Sequence, residues 1–129
     1  MFRRVILISL LAVAALGTTG TPVAAKSGDV ISRGQCSAAS TWKLKLSPED
    51  GRIEVEFEVD QNRNNRLWRV SIARNGSTAW RGTRYTRAPS GSFSVNRLLP
   101  NGAGVDRIVV RATNAQTGEV CRRSATASF

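Results

Sequence analysis

A run of alternating carboxylates is the part of this chain best suited, by residue type and spacing, to acid–base chemistry. Between Glu54 and Asp60 every second residue is acidic, and the residues between them are apolar. Positions two apart on a β-strand lie roughly 7 Å from each other on one face, within the separation of a glycosidase carboxylate pair. The same alternation is typical of the solvated face of a half-buried strand, here partly neutralised by Lys43 and Lys45. We favour this structural interpretation.

Enzymatic chemistry has little further support, because the chain contains no histidine. That absence removes the most common general base, the most common metal ligand and every Ser-His or Cys-His pair. The segment Asp60-Gln61-Asn62 offers oxygen ligands for Ca²⁺, but it lacks a second acidic residue. We therefore predict a protein that is not an enzyme and that holds neither a metal nor a cofactor.

Arginine is the residue type that most favours a binding function. The chain carries 19 Lys+Arg against 9 Asp+Glu, a formal net charge of +10, and 16 of the basic residues are arginine. Six arginines fall within 22 residues that contain no acid, namely Arg66, Arg69, Arg74, Arg81, Arg84 and Arg87. Four later arginines would extend this patch, namely Arg107, Arg111, Arg122 and Arg123.

Guanidinium groups bind phosphate and carboxylate bidentately, and a basic surface attracts polyanions. The arginine cluster therefore predicts a surface that docks an anionic polymer of the cell envelope, extracellular nucleic acid or an acidic protein. The alternative is a solubilising surface whose arginine content reflects a GC-rich genome.

Two other binding functions remain open. A secreted protease inhibitor would offer a loop such as 87–91 or 101–104, although the proline and glycine there are also ordinary loop residues. A carbohydrate-binding module would stack sugars on exposed aromatic rings. The predicted alternation places all three tryptophans on the core side, which leaves Tyr85 as the exposed ring.

The first 25 residues have the organisation of a secretory signal peptide. Two arginines precede an apolar run over residues 5–16, and small residues at 23–25 match the site that a signal peptidase reads. The apolar run is too short to span a bilayer, although a retained anchor is the alternative. We expect cleavage between Ala25 and Lys26, giving a monomeric product that is secreted or associated with the cell envelope and keeps no membrane anchor.

Cys36 and Cys121 are the only cysteines, and they lie near the two ends of the remaining chain. In an exported protein an even pair most simply forms one disulfide. A metal site is disfavoured, because the sequence has neither a histidine nor a C-x-x-C motif. We predict a disulfide that ties the ends of the domain together.

The chain beyond residue 35 has the pattern of β-strands. Apolar residues alternate with polar ones, and turn residues recur about every ten positions, as in a sandwich or barrel. We expect about seven strands, with a first hairpin that turns at 48–51 and opposes Leu46 to Ile53. Residues 26–34 are predicted to form a flexible leader. Arg123 falls on the apolar face of the last strand, which requires a bulge or an edge position there.

A second hairpin is predicted around Asn75 and Gly76. A two-residue turn would oppose Val70 to Arg81 and bury a charge. A three-residue loop, 74–76, keeps the apolar residues of both strands on one face and is therefore favoured. It requires Gly76 in the left-handed conformation and a G1 bulge. That register places Arg69 beside Arg81 on the outer face.

Part of the sequence resembles a known fold family. The run from Gly104 to Asn114, followed by Thr117-Gly118-Glu119, resembles the penultimate strand and final hairpin of immunoglobulin-like and fibronectin type III-like domains. The whole chain after the predicted cleavage site also resembles small uncharacterised secreted proteins of actinobacteria, through Cys36, Thr41-Trp42, the run 53–60, Trp68-Arg69-Val70 and Cys121-Arg122.

The resemblance implies an all-β, immunoglobulin-like antiparallel β-sandwich over residues 35–129, and it implies no activity. The chain departs from true immunoglobulin domains in two respects. Cys36 precedes the first predicted strand, and Val105 and Asp106 stand where a tyrosine corner would need a tyrosine.

Overall fold

The computed structural model describes residues 28–129, which form eight β-strands. The strands are β1 (Val30–Gln35), β2 (Thr41–Glu49), β3 (Arg52–Asp60), β4 (Leu67–Arg74), β5 (Ser77–Tyr85), β6 (Ser92–Pro100), β7 (Asp106–Asn114) and β8 (Val120–Ala127). They make two antiparallel sheets, sheet A in the order β1-β2-β3-β6 and sheet B in the order β5-β4-β7-β8. The predicted signal peptide and its cleavage site at Ala25 and Lys26 lie outside the described residues.

The two sheets pack face to face because their strands alternate apolar and polar side chains. The inward-facing apolar residues form one buried core, which includes Leu44, Val55, Phe57, Trp68, Ile72, Val95, Ile108 and Val110. Trp68 and Phe93 pack tilted within it, with ring centroids 6.1 Å apart. The predicted all-β sandwich is confirmed.

The order of the strands identifies the type of sandwich. In a constant-type immunoglobulin domain of seven strands, the fourth strand lies in the same sheet as the first and second. When β2 is counted as the first strand, the fourth is β5, and it pairs with β4 in sheet B instead. This is the fibronectin type III-like arrangement, with β1 added at the edge of sheet A.

The first strand corrects the prediction of a flexible leader. Residues 30–35 pair antiparallel with β2, from Val30 opposite Leu46 to Gln35 opposite Thr41. The leader prediction is therefore wrong for residues 30–34, and the domain has eight strands rather than seven. The sequence carried no strong signal because an inward position is glycine: a Cβ on Gly34 would lie 2.6 Å from Cζ2 of the Trp42 indole.

The predicted register of the β2–β3 hairpin is wrong by two residues. Asp50 and Gly51 alone form the turn, with φ values of 48° and 72°, the positive values that a type I′ turn requires. Leu46 consequently opposes Val55 instead of Ile53. Because the shift is an even number of residues, each side chain stays on its predicted face.

The β4–β5 hairpin also turns through two residues and not the predicted three. Asn75 and Gly76 both have positive φ, 48° and 84°, which again meets the requirement of a type I′ turn. A bulge between Ile72 and Ala73 brings the apolar residues of both strands back to one face. It sets Trp80 opposite Ile72 and Gly82 opposite Val70. Arg81 stays out of the core, as predicted, but because of this bulge and not because of a three-residue loop.

Cys36 and Cys121 form the predicted disulfide, with a Cα–Cα distance of 4.3 Å. The bond joins the segment after β1 to strand β8 and so links sheet A to sheet B. Beside it, the buried Glu119 carboxylate accepts hydrogen bonds from the Ala38 and Ser40 amides at 3.0 and 2.9 Å and from the Ser40 hydroxyl at 2.6 Å. The disulfide and this carboxylate together fix the segment 36–40.

Candidate anion-binding face

Five exposed arginines lie on the outer face of sheet B, and we call this surface the arginine face. Its members are Arg69 of β4, Arg81 of β5, Arg107 and Arg111 of β7, and Arg122 of β8. Residues paired across antiparallel strands share a face, so the register fixes their arrangement. Arg81, Arg111 and Arg122 lie in one row, with Ser71 between the first two. Across three strand spacings the row is roughly 14 Å long.

Arg111 and Arg122 are directly opposed on neighbouring strands. Like charges in this position destabilise a sheet unless an anion offsets them. The predicted pair of Arg69 and Arg81 does not form: Arg69 opposes Thr83, so it is only a diagonal neighbour of Arg81. A like-charge pair is therefore present, but it lies on β7 and β8, at the opposite edge of sheet B from the predicted pair on β4 and β5.

The arginine face carries no carboxylate. All nine acidic residues of the chain fall within residues 28–129. Seven of them lie in β2, β3 or the segments beside the strands of sheet A. The other two, Asp106 and Glu119, are buried and bonded within the protein. The guanidinium groups of this face therefore have no acidic partner on their own surface.

Arg74, predicted to belong to the anion surface, is part of a partly buried ion pair instead. Its Nη2 lies 2.8 Å from Oδ1 of Asp106, whose side chain is 2% exposed. The Asn75 side-chain amide and the Gly102 backbone amide also donate to this carboxylate, each at 3.0 Å. Burial raises the pKa of Asp106, but these hydrogen bonds and the Arg74 charge outweigh it, so the pKa lies below its usual 3.8. Arg74 is thus unavailable to a ligand, because the topology brings it to an acid 32 residues away in sequence.

Arg84 lies at the side of the sandwich between β5 and β6, not on the arginine face. Its Cζ is 5.0 Å from the centre of the Trp80 ring, and Cζ of Arg97 on β6 is 4.8 Å from the same ring. The indole lies close over Gly82, where a Cβ would stand 2.6 Å from Cζ2. Two guanidinium groups therefore cover one tryptophan, an arrangement favourable as a cation–π contact.

The opposite side of the sandwich is closed in the same way. Arg123 on edge strand β8 has its Cζ 5.7 Å from the centre of the Trp42 ring, and Trp42 Nε1 donates to the Gln35 carbonyl at 3.1 Å. The guanidinium of the exposed Arg123 therefore lies over the indole as a cation–π contact. Of the two predicted solutions for Arg123, the edge position is the one adopted.

The remaining two predicted arginines lie in loops. Arg66 Nη1 donates to Gln116 Oε1 at 3.5 Å, and Arg87 is exposed in the loop before β6. The six predicted residues therefore do not form one patch, since only Arg69 and Arg81 belong to the arginine face. Of the four in the predicted extension, Arg107, Arg111 and Arg122 lie on it and Arg123 does not.

The outer face of sheet A carries charges of both signs. The alternating carboxylates of β3 lie opposite the lysines of β2, with Lys45 Nζ 3.5 Å from Glu56 Oε2. Lys43 opposes Glu58, and Arg33 of β1 lies next to Lys43. The arrangement is that of a solvated, cross-paired strand face, as the favoured interpretation expected.

Two negative observations apply to residues 28–129. Within them, no group of three or more His, Cys, Asp or Glu side chains is placed to hold a metal ion. The same residues contain no helix long and apolar enough to cross a membrane.

Comparison of the chain with protein-family models, curated proteins and solved structures finds no match. The resemblance to actinobacterial secreted proteins stays a prediction. Any functional conclusion therefore depends on the surfaces described above.

Proposed function

We propose that this protein is an exported, non-enzymatic binding module that docks an anionic polymer through the arginine face. The row of Arg81, Arg111 and Arg122 supports this proposal most directly, because it includes a directly opposed like-charge pair and no carboxylate shares the face. An external anion that bridges Arg111 and Arg122 would convert a destabilising contact into a favourable one.

The proposal predicts a strong dependence of binding on salt. Each guanidinium that neutralises a polymer charge releases condensed counterions, at about 0.9 per contact on duplex DNA and about 0.7 on single strands. Five contacts would give a slope of log affinity against log salt of about −4. The polymer should therefore bind at low ionic strength and be released by a few hundred millimolar NaCl, on the order of 0.3 M.

The protease-inhibitor alternative gains no support from the loops. Loop 87–91 is closed on itself, since the Arg87 amide donates to the Ser92 carbonyl and the Gly91 amide donates to the Arg87 carbonyl. In loop 101–104, the Asn101 side chain and the Gly102 amide are both bonded within the domain. Neither loop is extended, which is the form a protease cleft would bind as a substrate-like strand.

The test is retention on immobilised polyanions, using heparin, teichoic acid and DNA, with elution in a salt gradient. The double variant Arg111→Gln/Arg122→Gln should elute at lower salt than the wild type, and its salt slope should be smaller in magnitude by about 1.4 to 1.8. The matched control is Arg33→Gln/Arg52→Gln, which removes the same charge from exposed positions in sheet A.

The control separates a docking face from a general effect of net charge. If both double variants lose the same retention, only net charge acts and the proposal is wrong. Passage of the wild-type domain through all three columns at low ionic strength would also exclude it.

A further inference from the structure

A groove of about 540 Å³ opens at the side of the sandwich where β5 ends and β6 begins. Its lining includes Thr83, Arg84 and Tyr85 from β5, Arg87 and Ser90 from the loop, and Ser94 from β6. The volume falls within the range of about 300–1,000 Å³ usual for small-molecule sites. Neither the row of arginines nor the disulfide region uses this groove.

The two walls of the groove differ in chemistry. On the sheet B side, Arg84 and Arg87 supply positive charge, and Tyr85, 50% exposed, supplies an aromatic ring. On the sheet A side, the wall is formed by Ser92, Phe93 and Ser94 at the start of β6, so serines supply its polar groups. The register sets Ser94 opposite Glu58 and Ser92 opposite Asp60, so carboxylates lie behind that wall.

We propose that this groove binds an acidic sugar unit, a pyranose ring that carries a carboxylate, within an anionic glycan. The carboxylate would pair with Arg84 and Arg87, and the apolar face of the ring would pack on Tyr85. The sugar hydroxyls would bond to the serine wall. A polyphosphate or a nucleic acid fits less well, because its closely spaced charges would also meet the wall backed by Glu58 and Asp60.

The inference rests on the proposed function and names the class of its polymer. Tyr85 and Arg81 belong to the same face of β5 and are four residues apart, roughly 13 Å along the strand. A glycan seated in the groove can therefore continue across Tyr85 onto the arginine face. The groove would supply selectivity for the acidic sugar, and the arginine row would supply electrostatic affinity.

The groove has an intrinsic spectroscopic reporter. Arg84 both lines the groove and covers the Trp80 ring. An occupant that bonds to the Arg84 guanidinium changes the surroundings of that indole. The buried Trp68 opposes Arg84 across β4 and β5, whereas Trp42 is buried outside the lining of the groove. The change in emission therefore reports on the two indoles beside Arg84, those of Trp80 and Trp68.

The experiment titrates the domain with a short oligogalacturonide, with a neutral oligogalactan of the same length, and with short polyphosphate, at about 0.15 M NaCl where long-range attraction is screened. Calorimetry measures the affinity, and a change in tryptophan emission shows that the oligomer binds beside Arg84. Arg87→Gln and Tyr85→Ala should each weaken oligogalacturonide binding about tenfold, as expected for a lost charged hydrogen bond or ring contact. Tyr85→Phe keeps the aromatic ring and should bind like the wild type. Arg52→Gln is the matched control, because it removes an exposed arginine of sheet A that belongs to neither surface and should leave short-oligomer binding unchanged.

Equal affinity for the acidic and neutral oligomers, or unchanged binding in the Arg87 and Tyr85 variants, would overturn the inference. Preferential binding of polyphosphate would overturn it as well. In each case the salt-dependent retention through Arg111 and Arg122 tests the proposed function separately, so the two can fail independently. Circular dichroism of each variant confirms that the sandwich is folded.

Discussion

Replacing Cys36 and Cys121 with alanine should lower the free energy of unfolding by about 4.5 kcal/mol. The two cysteines are 85 residues apart, and the chain-entropy model converts a loop of that length into this amount. A domain of this size typically has about 5–15 kcal/mol in total. The substitution should therefore remove a large share of the stability while leaving both hydrophobic sheet faces in place.

The disulfide effect is measured by guanidinium chloride unfolding followed by tryptophan emission, with the wild type oxidised. Glu119→Gln is the control, because it disturbs the anchoring of segment 36–40 and leaves the bond intact. It should cost about 1–3 kcal/mol, as expected for a buried charged acceptor with several donors. A double cysteine variant within about 1 kcal/mol of the wild type would show that the bond does not constrain the unfolded chain as argued.

Two further predictions concern the buried polar pair and one turn. Because the pKa of Asp106 is lowered in the folded state, its contribution to stability is present above its ordinary value of 3.8 and is lost as the pH falls through the lower folded value. In acid unfolding curves Asp106→Asn should lack that decline, and an identical pH profile would contradict the assignment. Gly91→Ala should destabilise the domain far more than Gly104→Ala in thermal unfolding. Both glycines have positive φ, but a Cβ at Gly91 meets the backbone of Arg63, whereas Gly104 has open space.

Alternation in the sequence determined which face each side chain takes, but it did not determine register. In the β2–β3 hairpin, any even shift keeps Leu46 inside and the glutamates outside, so the choice depends on the turn. Asp50 and Gly51 accept positive φ, which permits the tighter two-residue turn. The same tight geometry at Asn75 and Gly76 moved the bulge along the hairpin and separated Arg69 from Arg81.

The other errors arise where tertiary contacts override local pattern. Strand β1 was hidden because Gly34 leaves space for an indole instead of contributing an apolar side chain. Arg74 could not be assigned from sequence, since its acidic partner lies on a different strand. The sequence shows Arg123 on the apolar face of its strand, but not that its guanidinium lies over Trp42 of the facing sheet. The disulfide was predictable because the chain has only two cysteines.

The most direct test of the arginine face is a map of backbone amide shifts in the ¹⁵N–¹H spectrum during titration with heparin at low salt. We predict that the largest shifts fall on β4, β7 and β8 around Arg69, Arg111 and Arg122, with weaker shifts around Arg33 and Lys43 on sheet A. Shifts that concentrate on sheet A, or that spread evenly over both sheets, would contradict it.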